Sequence, residues 1–200
     1  MQVFSVSESS SLSSPMAVQR GDVIFAAHST GPVWRVLSGA FRLDCPTGAG
    51  ESLVNLALPG DWIGVEALCG APYTCTVTAL VDSEVQAEVM VNLPRMEALA
   101  AVLRQQQRQM MDMVPLRSGS VVSRLTHLLG LLARRCDGEV ASLSRGDMPR
   151  LKQTAQIIDT AVETVCREMS CLLPARPRRA PAAPRCGWRQ GVEVFAGAGG

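Results

Sequence analysis

The chain has 200 residues, of which 47% are hydrophobic and 18% charged, as in ordinary globular proteins. This length allows one large domain or two small ones, and the absence of any run of 18 apolar residues predicts no membrane-spanning helix. Residues 1–100 carry ten acidic and four basic side chains (−6), whereas residues 101–200 carry eight and fifteen (+7). The asymmetry favours a polyanionic partner for the C-terminal half, unless the basic residues only form an unpartnered tail.

The N-terminal residues 1–14 are rich in serine, and we expect them to be disordered. They lack the basic start and apolar core of a signal peptide, which predicts a cytoplasmic protein. The chain has seven cysteines and no CxxC pair. This spacing predicts reduced, buried, inert thiols rather than a zinc site or a dithiol redox motif.

Residues 15–95 consist of short apolar runs separated by glycine and proline. The predicted strands are DVIFAA, PVWRVLSGAFRL, SLVNLAL, DWIGVEAL and YTCTVTALVDSEVQAEV. The predicted turns are RGD, STGP, CPTGAGE, LPGD and CGAP. Short strands at this spacing predict an all-β sandwich or barrel.

A helix is predicted over residues 96–117, because apolar residues recur there at alternating spacings of three and four. This heptad seam contains Met96, Leu99, Leu103, Gln106, Met110 and Met113. Such a seam predicts dimerisation, with packing against the chain's own domain as the alternative, and a polar Gln106 can fix the register. Pro115 and RSGS are expected to interrupt the helix and form a hinge.

Residues 118–173 predict a small helical domain. Its first helix, VVSRLTHLLGLLARR, has an apolar stripe at Val121, Leu125, Leu128, Leu129 and Leu132. Two further helices, at about 150–158 and 161–172, are separated by Asp159 and Thr160, which predicts a helix-turn-helix. We expect a small core of Ile157, Ile158, Val165 and Leu172, with Ala155 allowing close helix packing. Residues 174–200 form a tail rich in Pro, Arg and Gly.

The last predicted helix has one polar face, with Glu163, Cys166, Arg167 and Ser170 inside an arc of about 100°. Arginine can donate two hydrogen bonds to guanine, and glutamate can accept one from cytosine. Glu163 can also hold Arg167 in a reading pose. The alternative is an exposed intrahelical ion pair without a partner.

The order of these parts, ending in VETVCR, resembles the Crp/Fnr family of transcription regulators. The segments RGDVIF, VWRVLSGAFRL and LPGDWIGVEAL are similar to the sensor domain of that family, and Gly21, Gly39, Gly60 and Gly64 match its turn glycines. The resemblance implies an α+β fold: a cyclic-nucleotide-binding-like jelly roll (15–95), a dimerisation helix and hinge (96–117), and a helix-turn-helix domain (118–173). Val162 beside Glu163, with Cys166 beside Arg167, is similar to the Fnr-like branch. This implies binding to TTGA-type palindromic DNA, with RNA polymerase as a further partner.

The resemblance also implies an effector pocket near Gly64, Glu66, Cys75 and Thr76. Cyclic AMP is not expected, because members that bind it carry an Arg-Ser pair where this chain has Cys75-Thr76. An iron–sulfur cluster is not expected either, since no cysteine precedes Cys45, and His28 and His127 are not expected to ligate haem.

Three departures from the family pattern leave an alternative open. Thr154 and Glu168 stand where the helix-turn-helix usually buries apolar side chains, Asp159 stands where glycine is common, and the tail replaces the wing. The alternative is a decayed or non-DNA-binding relative that acts as a small-molecule-binding dimer. An enzyme is not expected, because no histidine has a second histidine at metal-ligand spacing and no Ser/His/Asp set or phosphate loop is visible.

Overall fold

A computed structural model of the chain describes residues 14–48, 50–88, 95–134, 143 and 147–173. The expectations of a disordered N-terminus and of a tail in place of a wing fall on residues 1–13 and 174–200, outside the described residues. Cys136 and Cys186 also lie outside them.

The N-terminal part is a sandwich of two antiparallel four-stranded sheets. The described strands are β1 (Met16–Val18), β2 (Val23–Phe25), β3 (Val33–Ser38), β4 (Phe41–Thr47), β5 (Gly50–Ala57), β6 (Trp62–Ile63), β7 (Thr76–Ala79) and β8 (Ser83–Glu88). One sheet has the order β1-β8-β3-β6 and the other the order β2-β7-β4-β5. Alternate residues of β7 and β8 are buried, so that Val77, Val85 and the fully buried Phe41 fill the interior. The expectation of a sheet-rich jelly roll followed by helices is confirmed.

Three details of the strand prediction were wrong. The run DWIGVEAL forms only the two residues of β6, followed by a short 3₁₀ helix at Val65–Cys69 between two left-handed glycines. Strand β4 extends to Thr47, into the predicted turn CPTGAGE, because its last residues pair with the start of β5. Strand β1 was not predicted; it pairs with β8 at the sheet edge.

The four turn glycines all adopt a positive φ, which glycine adopts without steric cost. Gly39 shows a second requirement. It links β3 to β4 so close to Ser83 that a Cβ atom would overlap the serine side chain. The turn therefore requires glycine for its space as well as for its φ of +84°.

Four helices follow the sandwich in the described residues. They are α1 (Arg95–Arg117), α2 (Val121–Leu132), α3 (Leu151–Ile157) and α4 (Val162–Leu172). The interruption expected at Pro115 was wrong, since α1 includes this residue. Pro115 lies in the last turn, so only two residues of α1 follow it. The break comes at Gly119 instead, after which Ser120 caps α2 by accepting from Ser123 N.

A second apolar core joins helices α2, α3 and α4 to the outside of the sandwich. Leu125, Leu128 and Leu131 of α2 are buried in it, whereas the predicted Leu129 and Leu132 are only partly buried. Of the expected small core, Leu172 was wrong: it is 37% exposed, because it ends α4. The other three members are fully buried: Ile157, Ile158 and Val165.

Candidate nucleic-acid interface and effector pocket

Helix α4 buries one side and exposes the other. Val165 and Met169 pack into the second core. The five residues expected to contact DNA are all exposed: Val162, Glu163, Cys166, Arg167 and Ser170. The Arg167 side chain is 73% exposed, so its guanidinium is available to a partner that docks on this face.

The ion pair on α4 differs from the expected one. Arg167 Nε donates to Glu168 Oε1 at 3.2 Å, so the arginine pairs with its neighbour rather than with Glu163. The Glu168 side chain is 23% exposed, which places it at the edge of the core with its carboxylate directed outward. This explains how the helix accepts glutamate at a position where an apolar residue was expected.

The turn between α3 and α4 is held by a residue that the sequence analysis missed. Asp159 adopts a φ of +49°, the left-handed conformation that favours glycine. Arg124 of α2 donates from Nη1 to the carbonyl oxygens of Ile158 (2.6 Å) and Asp159 (3.0 Å). Thr160 N donates to Ala155 O at 3.0 Å. Arg124 thus satisfies carbonyl groups that the end of α3 leaves unpaired.

Thr154 is expected to lower the stability of the helical part of the chain. Its side chain is fully buried, and its Oγ1 has no hydrogen-bond partner in the described part of the chain. An unpaired buried hydroxyl costs about 1–3 kcal/mol. Ala155, beside it, is buried as expected of a residue at a close helix contact.

A cleft of about 240 Å³ lies between α4 and the sandwich. Cys166 and Ser170 line it together with Arg20 and Arg150. Arg20 Nη1 donates to Met148 O at 3.2 Å, which ties the sandwich to the segment before α3. Part of the polar face of α4 is therefore directed towards the chain's own basic residues.

The predicted seam of α1 is largely exposed. Met96 (77%), Leu103 (57%) and Met110 (67%) are open to solvent, as are Leu99 and Gln106. Met113 differs, because it packs against the second core of its own chain. The exposed part of the seam has no partner within the described chain.

A second face of α1 packs on the sandwich through apolar and polar contacts. Ala98, Val102 and Leu116 are buried. Gln105 accepts from Trp62 N and donates to Trp62 O, both at 2.7 Å, so it pairs with β6 as a neighbouring strand would. Gln109 Nε2 donates to Asp61 Oδ2 at 3.0 Å.

Asp61 is the centre of this polar contact and is 1% exposed. It accepts from Leu58 N at 2.9 Å and also pairs with Arg108. Burial raises the pKa of Asp61 above 3.8, although the Leu58 N–H, Arg108 and Gln109 act in the opposite direction. No sequence motif indicated this network, because its members are spread from the end of β5 to α1.

A pocket of about 170 Å³ lies between the sandwich and α1. Gly64, Glu66 and Cys75 line it, as the resemblance implied, but Thr76 is not part of the lining. Thr76 Oγ1 accepts from Ala27 N at 3.2 Å on another side of β7. Residues of α1 complete the pocket and were not expected there: Gln105, Gln106 and Gln109.

The pocket has no cationic lining among the residues that the structure describes. Its charged side chain is Glu66, whose Oε1 accepts from Thr74 N at 3.0 Å and also from Thr74 Oγ1. Behind the pocket, Tyr73 stacks on Phe25 with ring centroids 3.8 Å apart and donates to Pro32 O. Burial raises the pKa of Tyr73 to about 12, so it remains neutral.

The remaining candidate ligands are dispersed. His28 is exposed, whereas a ring nitrogen of His127 lies 3.1 Å from Asp112 O. No three His, Cys, Asp or Glu side chains of the described ranges are grouped to hold a metal ion. Within these ranges, no helix combines the length and apolarity needed to cross a membrane. The expectation of buried cysteines was wrong for Cys69, Cys166 and Cys171, which are exposed.

A model of a known protein family matches the sandwich and the start of α1. Residues 15–105 match the family model of the cyclic nucleotide-binding domain. No curated protein sequence matches the chain.

Solved structures share the fold of most of the chain. A CRP-family transcriptional regulator from Thermus thermophilus is 23% identical, with a TM-score of 0.55 over 78% of this chain and 83% of that one. FixK2 from Bradyrhizobium japonicum is 20% identical, with a TM-score of 0.56 over 80% and 83%. The c-di-GMP responsive regulator CLP from Xanthomonas campestris is 12% identical, with a TM-score of 0.52 over 81% and 87%. The chain therefore has the fold of these regulators.

Proposed function

We propose that the chain is a dimeric, sequence-specific DNA-binding transcription regulator of the Crp/Fnr type that responds to an unidentified effector. The observation that carries the proposal is the exposed polar face of α4, a helix anchored from its other side by the second core. The likeness of the fold to regulators of transcription supports this interpretation. In this proposal α3 and α4 are the helix-turn-helix, and the protein acts in the cytoplasm, not as an enzyme.

Dimerisation in this proposal uses the exposed seam of α1. The side chains open to solvent are large and apolar, and burying them removes an unfavourable contact with water. Two copies of α1 packed along Met96, Leu99, Leu103 and Met110 would place two α4 helices on one DNA molecule. A two-fold protein then reads a palindrome, here of the TTGA type.

Base reading is assigned to Arg167, with Glu163 and Ser170 beside it. In the free protein Arg167 is paired with Glu168, and binding requires it to leave this carboxylate for a guanine. Because the pair is largely exposed, giving it up costs little, about 0–1 kcal/mol. A bidentate contact to guanine contributes about 1–3 kcal/mol of discrimination, so the exchange is favourable.

The experiment compares Arg167→Ala with Lys152→Ala, an exposed cation of α3. Each variant is titrated against a TTGA palindrome and a scrambled duplex at two salt concentrations. Arg167→Ala should lose about 1–3 kcal/mol per half-site on the palindrome and little on the scrambled duplex. Lys152→Ala should weaken both duplexes alike and flatten the salt dependence, as expected of a phosphate contact. An equal loss on both duplexes for Arg167→Ala would show that α4 does not read bases.

Cyclic AMP is not the effector in this proposal. The pocket offers a phosphate diester the Glu66 carboxylate, without a charge-assisted bond from a cation in the described lining. We likewise propose no iron–sulfur cluster or haem. Calorimetry of the purified protein with cyclic AMP should show no heat of binding at micromolar concentrations. A micromolar affinity would refute this part of the proposal.

The second candidate is a dimer that has lost DNA binding. The unpaired hydroxyl of Thr154 destabilises the helical part of the chain. In addition, Cys166 and Ser170 of the α4 face line a cleft together with Arg20. The same titration separates the two candidates. If wild type binds neither duplex while remaining dimeric, the second candidate stands.

A further inference from the structure

Two cysteines lie side by side next to the pocket, one of which, Cys75, lines it. Cys45 is on β4 and Cys75 is the residue before β7, and their Sγ atoms are 2.9 Å apart. The paired residues of β4 and β7 run from Phe41↔Ala79 to Asp44↔Thr76. One further step in this register brings Cys45 opposite Cys75.

Residues directly opposite on antiparallel strands have Cα atoms about 4.5–5.5 Å apart, a separation that disulfides span. The two sulfur atoms need to approach by only ~0.9 Å to reach bonding distance from 2.9 Å. Both side chains are half-buried, so a small oxidant can reach them. We propose that Cys45 and Cys75 form a reversible disulfide, a modification site for peroxides in the wall of the pocket.

The chemistry balances with hydrogen peroxide as the oxidant. The Cys45 thiol loses its proton and the sulfur attacks one peroxide oxygen, which breaks the O–O bond and leaves a sulfenic acid and hydroxide. The hydroxide takes up the proton that the thiol released and becomes water. Cys75 sulfur then displaces the hydroxyl group of the sulfenic acid, its proton leaves with that group as a second water, and the S–S bond forms. Two thiols lose two electrons and peroxide gains them, and an external dithiol can reverse the change.

In this proposal the order of the two steps follows from the surroundings of Cys75. Burial raises the pKa of Cys75 to about 12, and the neighbouring Cys45 thiol adds to the rise. Cys75 is therefore protonated at neutral pH, and we assign the first attack to Cys45.

The bond would act on the pocket through Thr74. Thr74 N and Oγ1 both donate to Glu66, and Thr74 O accepts from Cys45 Sγ at 3.4 Å. A disulfide at Cys75 fixes the residue that follows Thr74, and hence one wall of the pocket, to β4. The site does not depend on DNA binding, so it can be tested by itself.

The test is peptide mapping of peroxide-treated protein. Trypsin and a glutamate-specific protease place Cys45 in residues 43–51, and Cys69 with Cys75 in residues 67–84. The measurement therefore uses a Cys69→Ser background, in which Cys75 is the sole cysteine of its peptide. After limited peroxide treatment and alkylation, we expect a 43–51 to 67–84 cross-link, lost on reduction, and two fewer alkylated thiols.

Two controls keep the proposal falsifiable. Cys75→Ser, with Cys69 intact, should give no cross-link between these peptides and should leave Cys45 sulfenic acid detectable by a specific trap. Protein unfolded in urea should cross-link much less selectively, because proximity is lost. The proposal is overturned if folded Cys69→Ser protein yields only intermolecular bonds or pairs involving other cysteines, or retains all of its thiols.

Discussion

Helix α1 has two long faces that differ in what they contact and in how firmly their contacts are defined. The inner face packs on the sandwich with buried Ala98 and Val102 and with the directed hydrogen bonds of Gln105 and Gln109. The outer face exposes a seam of methionines and leucines. Hydrogen bonds define one orientation, whereas methionines adapt to the shape of a partner. The inner face therefore fixes the helix to its own domain, and the outer face is suited to association.

The largest effect is expected from changing the outer face. Leu103→Glu places one carboxylate from each protomer in the proposed apolar interface, where a charge is costly. We expect dimerisation to weaken about a hundredfold or more, which is at least ~2.7 kcal/mol. Sedimentation over a range of concentrations measures the change. The folded monomer should be unaffected, because Leu103 is exposed in it.

Arg104→Glu is the matched control for this variant. Arg104 is the exposed next residue of α1 and lies outside the predicted seam. The Arg104→Glu substitution introduces the same side chain as Leu103→Glu and should leave the dimer intact. A monomeric wild type at micromolar concentration, or equal effects of both variants, would show that the outer face is not the interface.

A smaller effect is expected at the inner face. Asp61→Ala leaves the buried Leu58 N–H and the Gln109 amide without their acceptor, which should cost about 1–3 kcal/mol of unfolding free energy. Asp112→Ala, the control, removes a partly exposed pair with Arg134 and should cost less than about 1 kcal/mol. Urea unfolding of the variants measures both. Equal losses would mean that α1 is not held by the Asp61 network.

The smallest effect is a pH dependence at the same residue. Because the folded-state pKa of Asp61 lies above 3.8, the folded state binds more protons than the unfolded state between these two values. The contribution of Asp61 to stability therefore falls as pH rises from about 3.8 through the folded-state pKa, and then levels. Relative to Asp61→Asn, wild type should lose unfolding free energy over this window. If the unfolding free energy of wild type instead rises over this window, the attraction to Arg108 outweighs the effect of burial on the pKa of Asp61.

Most of the fold was predictable because it depends on local patterns. Alternation along β7 and β8, glycines at turns and the stripe of α2 are visible within windows of ten residues or so. The 3₁₀ helix after β6 was misassigned, since its short apolar run carries no period of its own. Pro115 was misjudged because proline usually interrupts a helix, whereas α1 includes it two residues before its end.

The sites were less predictable, because they combine residues distant in sequence. The face of α4 follows from helical geometry alone, and its residues are exposed as expected. Arg124, which holds the turn at Asp159, carried no signal, since an arginine on a helix usually faces water. The proximity of Cys45 and Cys75 depends on strand register, which spacing along the chain does not reveal.

The second core makes the sandwich and the helices one mechanical unit. Leu56, Leu58 and Leu80 of the sandwich share it with α2 and with Ile158 and Val165 beside the α3–α4 turn. Because densely packed side chains transmit strain, we expect a displacement of the sheet to displace α4 as well. The two parts should also melt in one cooperative transition, and a fragment cut between α1 and α2 would expose leucines on both sides of the cut.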